Sequence, residues 1–145
     1  METRGNDNLS IDQQLCFALY AASRLLIQAY GPLLNNLGLT YSQYLVLLVL
    51  WETGPVSVKD IGTQLFLDSG TLSPLLKKLK EKGLISKSRK AKDERIVSIV
   101  LTQKGKSLKK KVLLVPQKMF CQLNMSEMQF VNLREQLKKL TQRLK

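Results

Sequence analysis

The stretch from Leu67 to Gly83, LDSGTLSPLLKKLKEKG, decides how this chain is read. Leu72, Leu75, Leu76 and Leu79 recur at the i, i+3, i+4, i+7 spacing of a helix with one buried stripe. The opposite face presents Ser69, Gly70, Thr71 and Ser73 first, then Lys77, Lys78, Lys80 and Lys82. Small polar side chains at a helix N-terminus suit an approach to base edges. Free N–H groups there, and lysines further along, suit phosphates. Pro74 is tolerated because an N-cap at Asp68, Ser69 or Thr71 puts it at or near the first turn, and Gly83 ends the helix. A surface helix with a solvated lysine face meets the same pattern, so the flanking segments must decide.

Upstream, Thr40-Tyr41-Ser42-Gln43 is a capping box, with Leu39 and Tyr44 placed as its hydrophobic staple. The helix that follows, through Trp51, is apolar nearly all round and is expected to be the central buried one. Gly54-Pro55 stops it, and Ser57-Val58-Lys59-Asp60 caps a short helix with Val58, Ile61 and Leu65 facing inward. A turn over residues 66–68 then leads into the opening stretch, which makes a helix-turn-helix. Downstream the period changes. Leu84 to Arg89 and Arg95 to Leu101 read as strands of a hairpin, the wing of a winged helix. Lys87, Arg89, Lys90, Lys92 and Arg95 on it would reach phosphates or the minor groove. The alternative is a solvated hairpin whose lysines guard an edge.

The ends of the chain read as helices that pack lengthwise. Ser10-Ile11-Asp12-Gln13 is a capping box expected to open a long helix with the seam Leu15, Leu19, Ala22, Leu26, Ala29, broken or bent at Gly31-Pro32. Thr102 is expected to open another, with Leu108, Val112, Val115 and Met119 in step and a bend at Pro116. Ser126-Glu127-Met128-Gln129 caps the last, whose Phe130, Leu133, Leu137, Leu140 and Leu144 step by three and four. These seams exceed what a small DNA-reading lobe needs, so a dimer interface is expected, with an intramolecular bundle as the alternative. The expected fold is mainly α with a small β-hairpin wing. It comprises a dimerisation helix region over 1–36, a winged helix-turn-helix over 37–102 and C-terminal dimerisation helices over 103–145, one structural domain in all.

Composition narrows the function. In 145 residues, 23 Lys and Arg against 11 Asp and Glu give a net charge of +12, which favours a polyanion partner. No apolar run reaches the ~18 residues of a membrane span. The first residues, METRGNDNLS, lack a secretory apolar core, so a cytoplasmic protein without a membrane role is expected. With no histidine and two distant cysteines, neither a metal site nor another cofactor is expected, and histidine acid/base chemistry is excluded. By default Cys16, between Leu15 and Phe17, is a small inert hydrophobe.

The segments Leu15-Cys16-Phe17-Ala18-Leu19-Tyr20, Leu37-Gly38-Leu39-Thr40-Tyr41, Gln43-Tyr44-Leu45-Val46-Leu47, Leu67-Asp68-Ser69-Gly70-Thr71-Leu72, Pro74-Leu75-Leu76-Lys77 and Asp93-Glu94-Arg95 change that default. With them the chain resembles the MarR family of winged-helix repressors and, within it, the organic-hydroperoxide-sensing repressors called OhrR. The resemblance is close from about Leu15 to Thr102 and looser beyond. It implies that Cys16 is the peroxide-reactive thiol, that Tyr30 and Tyr41 hydrogen-bond and activate it, and that Cys121 resolves its sulfenic acid through a disulfide with the other subunit. Cys121 as a buried spectator is the alternative. The helix dipole is expected to contribute little, since Cys16 lies far from a cap at Ser10.

On this reading the reduced homodimer holds double-stranded DNA at an inverted-repeat operator. Ser69, Thr71 and Ser73 lie near bases, and Lys77, Lys78 and Arg95 lie on the backbone or minor groove. An organic hydroperoxide is the inducer. The alternatives are a repressor of the same fold induced by a small phenolic ligand, a thiol-based global regulator of virulence or resistance genes, and a thiol peroxidase. The peroxidase would have no use for a basic winged helix.

Overall fold

The computed structural model describes residues 9–89 and 97–145. It divides into two compact units, residues 1–112 and 113–145. The first contains helices α1 (Leu15–Leu34), α2 (Tyr41–Thr53), α3 (Val58–Leu65), α4 (Ser69–Glu81) and α5 (Gln103–Val112), with strands β1 (Val56–Ser57), β2 (Ile85–Arg89) and β3 (Val97–Leu101). The second contains α6 (Val115–Leu123) and α7 (Glu127–Arg143). Among the described residues no single helix is long and apolar enough to cross a membrane.

The centre of the first unit is α2, as its sequence predicts. The Thr40 capping box is closed in both directions: Thr40 Oγ1 accepts from the Gln43 N–H at 3.3 Å, and Gln43 Oε1 accepts from the Thr40 N–H at 3.2 Å. Tyr44, Val46, Leu47, Val49 and Leu50 are buried, and Ile61 of α3 with Leu72, Leu76 and Leu79 of α4 completes the core. Gly54, at φ 74°, turns the chain out of α2.

The sheet has the order β1-β3-β2 and is antiparallel throughout, with Ile85 opposite Leu101, Arg89 opposite Val97 and Val56 opposite Ile99. The hairpin is where the sequence puts it. The strand β1 is absent from the sequence reading, because two residues carry no period and their partners, Ile99 for Val56 and Ser98 for Ser57, lie 43 and 41 residues away in the chain. The five residues of β3 include buried Ile99, which seats the sheet on the helices.

Helix α5 is tied to this unit. Trp51 Nε1 donates to the Gly105 carbonyl at 3.0 Å, and a Cβ on Gly105 would collide with the Leu84 carbonyl, so glycine permits the close approach. The compact unit therefore extends to Val112.

Three expectations at helix ends are corrected. Ser10 makes no side-chain cap; residues 11–13 form a short 3-10 turn, Gln14 is extended at ψ 111°, and α1 begins only at Leu15. The pattern of a capping box is local and degenerate, and here no helix continues from it. Of the break or bend expected at Gly31-Pro32, the break is absent: α1 runs on to Leu34 and through a 3-10 turn to Gly38 at φ 67°. At Pro116 the chain breaks rather than bends: α5 ends at Val112, and Pro116 sits in the first turn of α6, where its missing N–H costs nothing. The Ser126 box closes as expected, and Phe130 of α7 meets Phe120 of α6 edge to face at 5.2 Å.

Candidate functional site

Two groups of residues stand out, one on α4 and the sheet, the other on α1 and α2. Asp68 is the N-cap of α4: its carboxylate accepts from the Thr71 N–H at 2.7 Å and from the Thr71 hydroxyl at 3.1 Å. Those bonds hold the Asp68 carboxyl below the ordinary carboxylate range. They also occupy the Thr71 proton, so Thr71 faces outward as an acceptor. With Asp68 as cap, Pro74 is the sixth helical residue and not in the first turn, so one backbone bond, to Gly70, is forgone. At the other end Gly83 (φ 69°) donates to Lys80 and Leu84 donates to Leu79, the paired bonds of a Schellman close.

Leu72, Leu76 and Leu79 point into the core, while Ser69, Thr71, Ser73, Lys77 and Lys78 are exposed together. Lys87 and Arg89 are exposed on β2. Lys90, Lys92 and Arg95 lie outside the described residues, as does the Asp93-Glu94-Arg95 segment. The structure brings Ser73, Lys77 and Lys87 around one cleft of about 280 Å³ with an apolar floor of Leu76, Ile85 and Ile99. Lys80 and Ser86 line it too. The sequence places Lys80 on the cationic face of α4 without singling it out as a contact, and it gives no signal for Ser86.

Cys16 is the second residue of α1. Ala18 is the first residue of that helix to bond back, to the Gln14 carbonyl at 3.1 Å, so Cys16 lies in the turn whose N–H groups form the positive helix end. This reverses the expectation that the dipole is too distant. Cys16 is exposed beside Leu15 and Phe17, which are 65% and 41% exposed. Tyr30 and Tyr41 meet with ring centroids 4.7 Å apart, and Tyr44, which the sequence places only as a helix staple, joins them at 6.0 Å from Tyr30. Burial, reinforced by Tyr41 and Tyr44, pushes the Tyr30 phenol up to about 12. Burial raises Tyr41 as well. Both are therefore neutral donors near neutral pH.

Within one chain these tyrosines do not reach the thiol: Tyr30 follows Cys16 by 14 residues of one helix, about 21 Å at ~1.5 Å per residue. Cys121 is an exposed free thiol in α6, in the other compact unit.

A helix-turn-helix closed by a small antiparallel sheet, with a basic exposed reading helix beside a hairpin, defines a winged helix. The profile described as "Transcriptional regulator SarA/Rot" matches residues 28–112. The organic hydroperoxide resistance transcriptional regulator of Bacillus subtilis (strain 168) is 50% identical over 110 residues, covering 76% of this chain and 75% of that one. The HTH-type transcriptional regulator TtmR of Methylorubrum extorquens (strain PA1) is 55% identical over 115 residues, 79% of this chain, which spans only 59% of that longer relative. AbfR of Staphylococcus epidermidis, solved reduced and bound to DNA, superposes with a TM-score of 0.76 at 36% identity over 92% of this chain and 94% of that one. In its disulfide-formed state the TM-score is 0.64 at 38% identity over 90% and 92%. The chain belongs to the SarA/Rot and MarR-type winged-helix family, and it is a transcriptional regulator rather than an enzyme.

Proposed function

We propose that the chain is a homodimeric, DNA-binding repressor switched by organic hydroperoxides at Cys16. The observation that carries this reading is the separation of the two halves of the thiol site: the cysteine lies at the start of α1 and its tyrosine donors about 21 Å further along. A helix from a second copy, crossing α1 in the opposite sense, sets the partner's Tyr30 and Tyr41 beside Cys16. The exposed Leu15, Phe17, Leu25, Leu26 and Ile27 are the surface such a crossing would cover. The same reading has the chain dimerise through regions 1–36 and 103–145 and read DNA with 37–102. Both the Bacillus regulator's name and the AbfR states, reduced on DNA and disulfide-formed, support the same reading.

In the proposed cycle the Cys16 thiolate, stabilised by tyrosine O–H donors, attacks the outer peroxide oxygen. The O–O bond breaks, the alkoxide takes a proton and leaves as alcohol, and Cys16 becomes a sulfenic acid. The apolar surroundings favour an oxidant with an organic tail. The partner's Cys121 attacks that sulfur, a disulfide forms and water leaves. The displacement shifts the helices that space the two reading helices, and the operator is released. Taking occupancy from ~99% to ~1% needs about 10⁴ in affinity.

The test is fluorescence anisotropy on DNA from upstream of the protein's own gene: reduced, after one equivalent of an organic hydroperoxide, then after dithiothreitol. Binding is expected to be lost and then restored in the native chain, and to stay insensitive in Cys16→Ser. Release by peroxide in Cys16→Ser, or none in the native chain, would sink the reading. Cys121→Ser is expected to form the sulfenic acid without the covalent dimer on a non-reducing gel.

A further inference from the structure

A second cleft, of about 410 Å³, lies within the first unit at the far end of α4 from Ser69 and Thr71. That volume is within the range of small-ligand pockets. Its floor is apolar, made by Leu37, Leu84 and Leu108, and its rim carries Lys82, Lys104 and Lys111 with Ser107 between them. Among the described residues no acidic one lines it. Two of the ammonium groups are fixed by neutral partners. Lys82 Nζ donates to the Gly38 carbonyl and, at 2.8 Å, to Gln43 Oε1; Lys104 Nζ donates to the Lys82 carbonyl at 2.8 Å. An ammonium has three donors, so Lys82 keeps one and Lys104 two. Among the described residues the ion pairs all involve Glu135 of α7, so none of the three lysines has a carboxylate partner.

Charges that are positioned but not compensated, above an apolar floor, fit a ligand with several negative charges and a flat organic part. We propose that this cleft binds an organic polyphosphate of the nucleoside diphosphate class, and that the bound ligand changes DNA affinity through α4. The coupling element is Lys82. It follows directly on α4 and bonds the Gln43 side chain that closes the α2 capping box, so a phosphate drawing on Lys82 competes with the bonds that hold the C-terminal end of α4 in place. The reading end of α4 is 13 residues away, about 20 Å, so ligand and DNA occupy different surfaces.

Trp51, the single tryptophan, reports on the site, because its indole bonds Gly105, next to Lys104. The experiment titrates the full chain, kept reduced in dithiothreitol, with ADP and with adenosine at about 150 mM salt, following Trp51 fluorescence. The variants are Lys104→Gln/Lys111→Gln and, removing the same charge on α7, Lys138→Gln/Lys139→Gln. Saturable ADP binding is expected in the native chain and in the α7 variant, weaker by about tenfold or more in the cleft variant, with none for adenosine. Saturating ADP is expected to shift the DNA-binding curve of the native chain and not that of the cleft variant. The proposal is overturned if ADP does not saturate, if both variants lose it equally, or if ADP leaves the native DNA-binding curve in place. It is also overturned if the cleft variant keeps ADP and loses DNA, which would make the cleft a backbone contact. Thiol oxidation takes no part in these measurements, so failure of the peroxide reading leaves them unaffected.

Discussion

Helices α1 and α2 are both rich in apolar residues, and the chain treats them oppositely. In α2, thirteen residues long, Gln43, Tyr44, Val46, Leu47, Val49 and Leu50 are buried and both halves of its capping box are made. In α1, twenty residues long, only Leu34 is buried. The difference lies in what the rest of the chain offers. Helix α2 is surrounded by α3, α4, α5 and β3, whereas most of the apolar surface of α1 is left uncovered. One helix finishes a core, and on the proposed reading the other is half of an interface.

Leu47→Ala tests the finished half most severely. Its fully buried side chain is expected to cost about 2–5 kcal/mol in denaturant unfolding, regardless of protein concentration. A loss that shrinks as concentration rises would show that α2 depends on association and would break the contrast. On the other side, Leu26→Glu with Leu137→Glu places charges on exposed apolar positions of α1 and α7. Self-association in sedimentation is expected to weaken by about 30-fold or more, with the winged unit's helical signal retained; an unchanged association constant would remove α1 and α7 from the interface. Smaller still, Thr40→Ala opens the α2 capping box and is expected to lower stability by about 1 kcal/mol, measured by the same unfolding curves.

The least effect concerns pH. Tyr30 is raised from 10.0 to about 12 by burial and by its tyrosine neighbours. A pKa higher in the folded than in the unfolded chain gives stability that is complete below pH 10 and lost as pH rises through about 12. Thermal melts across that window are expected to decline less steeply in Tyr30→Phe; identical slopes would place Tyr30 outside the cluster.

The elements legible in the sequence were those set by short-range chemistry. The Thr40 and Ser126 boxes, the Asp68 cap and the Leu72, Leu76, Leu79 stripe each involve residues three or four apart. Ser10 fits the same motif and fails, because a cap matters only where a helix follows it, and α1 starts after Gln14. A helix starting from Ser10 would leave Cys16 remote from the positive end; with α1 starting at Leu15, the thiol lies in the first turn. The places of Ser86 in the cleft and of Tyr44 in the tyrosine cluster are not legible in the sequence because they come from neighbours across the fold, α4 for Ser86 and Tyr30 of α1 for Tyr44.

By itself, then, the sequence determined the winged helix, the basic reading face and the helical ends, since hydrophobic period, caps and charge are written in adjacent residues. Tertiary structure decided what those residues meet. It paired Val56 with Ile99 to complete the sheet and fitted α5 against Leu84 through Gly105. It gathered Lys82, Lys104 and Lys111 around one cleft and kept Tyr30 a helix length from Cys16. Contacts between residues tens of positions apart leave no period in a chain, so they become visible only when it is folded.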